Sequence, residues 1–324
     1  MSWSNHYQPP TATAWTGRHD APVDNYFFQV ISTHDLNVPI NLSSQTFALL
    51  GFCCDEGIRR NHGRQGAATG PFHLRKVLAN MPLHRDDIKL IDVGDIVCHN
   101  ENLEEAQVAL GEAVSLLLNA NITPIILGGG HELAYGHYQG IEKVYRQEQL
   151  GMINFDAHFD MRPLLGSNKG TSGTPFLQIA KANETLKRRF DYYCIGIQNS
   201  SNTTSLFETA RQYHTHIILA EEIDDEQKIA ETIHEAINEN EIIYVSICLD
   251  VFASAFAPGV SAPQSLGVAP WQVIKALRKM ATSGKVISYD IAELSPPFDI
   301  DSRTAKLAAN LMYDIVHHHQ FVKR

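Results

Sequence analysis

The strongest constraint on this 324-residue chain is a rhythm. From Phe47 onward, short apolar and β-branched runs alternate with longer stretches of helical periodicity. The predicted strands are Phe47–Cys53, Ile88–Val97, Thr123–Leu127, Gly151–Phe155, Tyr192–Ile197, His216–Leu219, Ile242–Leu249 and Lys285–Ile291. Runs with no polar break, such as Ile242-Ile243-Tyr244-Val245, suit strands covered on both faces. Between strands, Asn102–Asn119 repeats apolar residues at helical spacing (Leu103, Ala106, Leu110, Ala113, Val114, Leu117), and Ala220–Asn240 and Trp271–Ala281 read alike. No linker or repeat interrupts the pattern. It predicts a single α/β domain over 46–324, with a mostly parallel sheet and helices on both faces. Residues 1–45, rich in Pro, Thr, Asn and Asp, are expected to form an irregular N-terminal arm that covers its own subunit or contacts another.

Composition narrows the function. At 44% hydrophobic and 19% charged, the chain is globular. A net charge of −10 without a basic stripe argues against nucleic acid. No apolar run nears the roughly 18 residues that span a bilayer, so no membrane partner is expected. The five cysteines, Cys53, Cys54, Cys98, Cys194 and Cys248, are odd in number and lie in or beside apolar runs. They read as free thiols of a reducing compartment. With no apolar signal core near Met1, a cytoplasmic location is expected. His317-His318-His319 reads as a polar helix end that complements the helix dipole.

In parallel α/β sheets, ligands bind beyond the carboxyl ends of the strands. Four predicted strands end in candidate ligands. Gly128-Gly129-Gly130-His131 follows Thr123–Leu127, and Asp156-Ala157-His158-Phe159-Asp160 follows Gly151–Phe155. Ile242–Leu249 runs through Cys248 into Asp250, and Lys285–Ile291 runs into Glu293. If the segment stays extended, positions 156, 158 and 160 point one way. Three polar groups facing one way beside a buried strand are costly unless something binds them. An oxygen-rich set with one or two imidazoles favours Mn²⁺ or Mg²⁺ over structural zinc. The donors are too many for one small ion, and two ions about 3.5–4 Å apart fit the count. Such a pair brings the pKa of a bridging water near neutrality, which implies hydrolysis at an electrophilic carbon.

These motifs resemble those of the ureohydrolases, the arginase and agmatinase family. They are Gly128-Gly129-Gly130-His131, Asp156-Ala157-His158-Phe159-Asp160, and Ser246-Ile247-Cys248-Leu249-Asp250 with Pro258-Gly259. The resemblance implies an arginase-like three-layer fold with an eight-stranded parallel sheet, and a centre of two Mn²⁺ ions. It assigns His131, Asp156, Asp160 and position 248 to one ion, and Asp156, His158, Asp250 and position 248 to the other. Positions 156 and 248 are the bridging ones, and Glu293 matches the acid that meets the amidinium of the substrate.

Two departures stand out. Cys248 replaces a bridging Asp; a thiolate ligates but is softer and tilts the pair toward Zn, Co or Fe. Cys248 either ligates, leaves one site weak or absent, or simply packs in its strand. Ser172 stands where arginases carry a proton-shuttling His. The segments Asp160-Met161-Arg162, Ser172-Gly173-Thr174-Pro175-Phe176 and Arg60-Asn61-His62-Gly63-Arg64 resemble the branch that hydrolyses N-formimidoyl-L-glutamate to L-glutamate and formamide, a step of histidine degradation. In that reading Asp160 relays a proton to the leaving nitrogen. Arg162 orients a carboxylate, and Arg60, Asn61 and Arg64 are further contacts for the dicarboxylate, because Arg forks grip carboxylates bidentately. For the arginines a loop-bracing role competes. The alternatives are another ureohydrolase acting on a carboxylated guanidine such as guanidinobutyrate, or a non-catalytic binding protein of this fold. A homo-oligomer is compatible with the sequence.

Overall fold

The computed structural model describes residues 3–18, 26–40 and 45–322; parts of the expected arm, including 19–25 and 41–44, lie outside them. The strands are β1 (Tyr7–Gln8), β2 (Ser32–Thr33), β3 (Thr46–Cys53), β4 (Lys89–Val97), β5 (Thr123–Leu127), β6 (Leu150–Phe155), β7 (Asp191–Ile197), β8 (His216–Leu219), β9 (Ile242–Cys248) and β10 (Val286–Ala292). The helices are α1 (Phe27–Val30), α2 (Glu56–Arg60), α3 (Gly70–Leu78), α4 (Leu103–Asn119), α5 (Leu133–Val144), α6 (Pro175–Leu186), α7 (Thr204–Gln212), α8 (Glu226–Glu239), α9 (Pro270–Ala281) and α10 (Arg303–His318).

Among the described residues the sheet has ten strands rather than the expected eight, in the order β1-β4-β3-β5-β10-β9-β6-β7-β8, with β2 also on β4. The two additions come from the N-terminal segment. Tyr7–Gln8 pairs antiparallel with β4, and Ser32–Thr33 pairs parallel with it. A two-residue strand has no periodicity to read, so the sequence pattern missed both. Every other ladder is parallel. One apolar cluster joins α3, α8, α9 and α10 to one sheet face; a second joins α4, α5, α6 and α7 to the other.

Helix ends follow local chemistry. Asn102 caps α4 by accepting from Glu105 N at 3.3 Å, and Pro270 opens α9. The stretch 220–240 is not one helix: a short 3₁₀ turn at Ala220–Glu222 precedes α8, which starts where the Asp225 side chain accepts from Lys228 N at 3.0 Å. The histidine run at the end of α10 also departs from expectation. His319 is buried against Phe47, Tyr289 and Phe321, and burial pushes its pKa down to about 3. Burial lowers His317 as well. His317 Nδ1 and His318 Nδ1 lie 2.7 and 2.9 Å from the last-turn carbonyls of Tyr313 and Asp314, so these two keep the polar helix end that His319 leaves.

Candidate metal centre

Four strands far apart in sequence, β5, β10, β9 and β6, lie side by side in the sheet, and their carboxyl ends form one cluster. After β5 the glycines thread between two strand ends. Gly128 N donates to Ile291 O at 2.7 Å, and Gly130 N donates to Cys54 O at 2.9 Å. A Cβ on Gly129 would lie 1.9 Å from Cys54 O, so only glycine passes. This delivers His131, buried, to the mouth of α5.

After β6 the chain does not stay extended, as the alternation argument required. It turns at once: His158 N donates to Asp156 Oδ1 at 2.7 Å, and Asp160 adopts φ 51°. The three groups still converge, through a turn rather than pleat alternation. His131 Nδ1 lies 2.9 Å from Asp156 Oδ2 and 2.8 Å from Asp160 Oδ2. His158 Nδ1 lies 3.4 Å from Asp156 Oδ1 and 3.2 Å from Asp250 Oδ2. Cys248 closes β9, and Asp250 sits in the next 3₁₀ turn, Leu249–Val251, so the two meet through that turn and not by sharing a strand face. Glu293, just past β10, has φ 74°; its N donates to Gly129 O at 2.8 Å and its Oε1 accepts from His131 N at 3.0 Å. Left-handed backbone at two non-glycine site residues is the kind of strain that a surrounding structure imposes at functional positions.

The electrostatics are those of crowded, buried acids. Burial, then the Asp250 charge, pushes Glu293 up to about 7. Burial, then Asp156, pushes Asp160 up to about 6 and raises Asp250. Burial would raise Asp156 too, but His131 and His158 outweigh it and hold it well below the carboxylate range. Burial would lower His131; its contacts with Asp156 and Asp160 win and hold it well above the ordinary imidazole value. His158 is raised in the same way by Asp250 and Asp156. Burial, then Asp156, lifts the Cys248 thiol far above its usual value.

Donor atoms group into two sets, His131–Asp156–Cys248 and Asp156–His158–Asp250, each with its atoms within 4.8 Å of one another. Asp156 belongs to both; Cys248 joins only the first. His131 Nδ1, Asp250 Oδ1 and Glu293 Oε2 are buried without a hydrogen-bond partner. Orphaned buried donors, two imidazoles and several acids are the chemistry of a site for divalent cations.

The predicted substrate contacts divide. Arg162 is half-buried, and among the described residues its guanidinium has no ion pair. Its side chain lies against Gly173, as does that of Asn61, whose Nδ2 donates to Ser172 Oγ at 3.2 Å. Arg60 departs from the expectation. It donates to both Glu104 oxygens at 2.6 and 3.1 Å, to Glu56 at 2.8 Å and to Gly170 O at 3.1 Å, so its donors are committed within the protein. Arg64 likewise donates to Val260 O at 2.6 Å and stacks 4.2 Å over Phe298, which ties down the 258–261 loop.

Several residues escaped the sequence reading. Glu132 is fully buried behind Glu293 and is pushed up to about 8 by burial and then by the Glu293 charge. The Gln264 amide lies 3.4 Å from His158 Nε2. Ser246 lies 2.8 Å from His131 Nε2, and the period-two spacing Tyr244, Ser246, Cys248 is the signal that could have found it. Glu132 and Gln264 left no local signal.

The arginase family profile matches residues 45–318. The chain is 41% identical over 314 residues to the formimidoylglutamase of Legionella pneumophila strain Lens, covering 96% of this chain and 98% of that one. It is 41% identical over 327 residues to the formimidoylglutamase of Clostridium tetani, covering 96% of each. Among solved structures, Trypanosoma cruzi formiminoglutamase with two Mn²⁺ superposes with TM-score 0.80 at 25% identity, over 91% of this chain and 98% of that one. The formimidoylglutamase of Bacillus subtilis strain 168 superposes with TM-score 0.82 at 21% identity, over 93% and 94%, and supports the fold.

Proposed function

The chain belongs to the arginase family, and from that premise we propose that it hydrolyses N-formimidoyl-L-glutamate to L-glutamate and formamide with two Mn²⁺ in its paired donor sets. The activity, cleavage of an amidine C–N bond, rests on 41% identity to formimidoylglutamases over nearly the whole chain. The observation that carries the metal reading is the pair of donor triads that share Asp156.

Bound divalent ions supply Lewis acidity and bring the pKa of water toward neutrality. His131, Asp156 and Cys248, with Asp160 beside them, would hold one; Asp156, His158 and Asp250 would hold the other. The chain's own groups supply the rest. Glu293 faces the cluster with Oε2 free, which suits it to receive the N–H groups of the amidinium and to stabilise the charge as the carbon becomes tetrahedral. Asp160, 2.8 Å from His131 Nδ1 within the cluster, is the carboxyl we assign to pass a proton to the departing glutamate nitrogen. Arg162 takes a substrate carboxylate as a bidentate fork, with Asn61 beside it. Arg60 and Arg64 hold the loops that frame them. Among the described residues no helix is long and apolar enough to cross a membrane.

The direct test offers Mn²⁺-loaded protein formimidoylglutamate, arginine, agmatine and guanidinobutyrate, and measures formamide, urea and ammonia separately. Formamide from formimidoylglutamate alone is expected. Urea from arginine would overturn the substrate assignment, and ammonia from formimidoylglutamate would indicate a deiminase.

A further inference from the structure

Behind the metal cluster, inside the sheet, runs a chain of polar side chains that the hydrolysis does not use. It begins at the far end of His131. Nδ1 of this ring faces Asp156 and Asp160, while Nε2 lies 2.8 Å from Ser246 Oγ. Ser246 in turn donates its hydroxyl proton to Asp290 Oδ1 at 2.6 Å. Asp290 Oδ2 accepts from the Tyr244 hydroxyl and lies 2.8 Å from His137 Nδ1. Ser246 and Asp290 are register partners on β9 and β10, and His137 reaches them from α5. All five side chains, His131 included, are buried.

A hydroxyl has one proton. Because Ser246 gives its proton to Asp290, it can only accept from His131, so His131 carries its proton on Nε2. When the ring is neutral, as a metal ligand must be, the lone pair is on Nδ1, on the side of Asp156 and Asp160. With two or three donors converging on its oxygens, Asp290 holds the geometry that a carboxylate acceptor requires. Polar groups in a sheet core are costly unless satisfied, and this stripe is satisfied along its length, which makes it rigid.

We propose that Asp290, acting through Ser246, is a positioning residue for the metal ligand His131, holding the ring in the orientation and tautomer that present Nδ1 to the ion, with Tyr244 and His137 holding Asp290 in turn. The proposal rests on the reading of His131 as a ligand. Hydrogen-bond partners on the far nitrogen of a ligating His commonly change metal affinity by 10–100-fold.

The experiment titrates Mn²⁺ into metal-free wild type, Ser246→Ala, Ser246→Thr, Tyr244→Phe and His131→Asn by calorimetry, with the thermal midpoint of each metal-free protein recorded. Ser246→Ala is expected to weaken one of the two binding steps by 10–100-fold and leave the other step and the thermal midpoint near wild type. Ser246→Thr restores the affinity, and Tyr244→Phe moves the same step less. At saturating Mn²⁺, kcat falls in Ser246→Ala while KM holds. A Ser246→Ala protein with both steps at wild-type affinity overturns the proposal, as does one in which both weaken equally with a large drop in midpoint, the signature of a purely structural role. Should Ser246→Ala fail to fold, Tyr244→Phe decides: unchanged steps sink the idea. The two readings fail separately. If His131→Asn itself keeps both steps, His131 is not a ligand; if it loses one and Ser246→Ala loses nothing, only the positioning role falls.

Discussion

The acids at the ends of β6, β9 and β10 and the arginine loop after β3 share one edge of the sheet, yet their charges are handled in opposite ways. Arg60 is boxed in by Glu56 and Glu104, and Arg75, deeper in, is held by Asp92 and Asp95 at 2.9 and 2.6 Å. In the candidate metal centre the acids outnumber the imidazoles, and among the described residues buried Asp250 Oδ1 and Glu293 Oε2 have no hydrogen-bond partner. Matched buried charge is architecture; unmatched buried charge is held for something that arrives. By the same test Arg162, without an ion pair among the described residues, is the arginine we propose for the substrate, rather than Arg60.

That contrast can be broken by mutation. The largest effect is expected for Asp156→Asn, since Asp156 serves both donor sets. Its kcat/KM should fall by more than the roughly 100-fold typical of outer-shell changes, with Mn²⁺ content falling in the same samples by elemental analysis. Full metal content would show that the acids here are structural. Next, Arg60→Ala leaves Glu104 without its ion-pair partner, while Glu56 keeps Arg59. It should cost about 1 kcal/mol in urea denaturation while KM stays unchanged; a raised KM at wild-type stability would return Arg60 to the substrate site. Arg162→Ala should do the reverse, raising KM about 10–100-fold, the worth of a charged hydrogen bond, with little change in stability. Cys248→Asp should tighten Mn²⁺ by on the order of tenfold, because a hard oxygen replaces a soft sulfur; unchanged affinity and activity would make Cys248 a packing residue.

The same contrast sets a pH slope with a defined sign. His131 and His158 are raised above the ordinary value of 6.5 in the folded, metal-free protein. The stability they lend is therefore fully present below about pH 6.5 and fades as pH rises through their folded values. Mn²⁺ binding needs both rings unprotonated, so affinity should rise with pH over that same window, by up to about tenfold per unit for each proton displaced. Calorimetric titrations at pH 6, 7 and 8 read the slope directly, and a flat profile would mean the rings are already neutral.

Much of the fold was readable because its signals are local. Continuous apolar runs marked the eight longer strands, and apolar spacing marked the helices at 102–119 and 271–281. The strand-end motifs named the acids and imidazoles of the cluster before their geometry was known. What misled was the assumption that Asp156–Asp160 stays extended, since the turn there depends on Asp156 capping His158 N and on contacts with β7 and α6. The β1 and β2 strands were invisible because their pairing is set by β4, far away in the chain.

The sequence by itself determined the layered α/β plan and the set of candidate ligands, because periodicity and motif spacing are properties of neighbours along the chain. The tertiary structure alone decided which charges are matched. Arg60 meets Glu104, His131 meets Ser246, and Asp290 meets His137 across separations that no window of sequence spans. Electrostatic energy depends on distance in space and on burial, and the sheet order, which sets β5, β10, β9 and β6 side by side, fixes both.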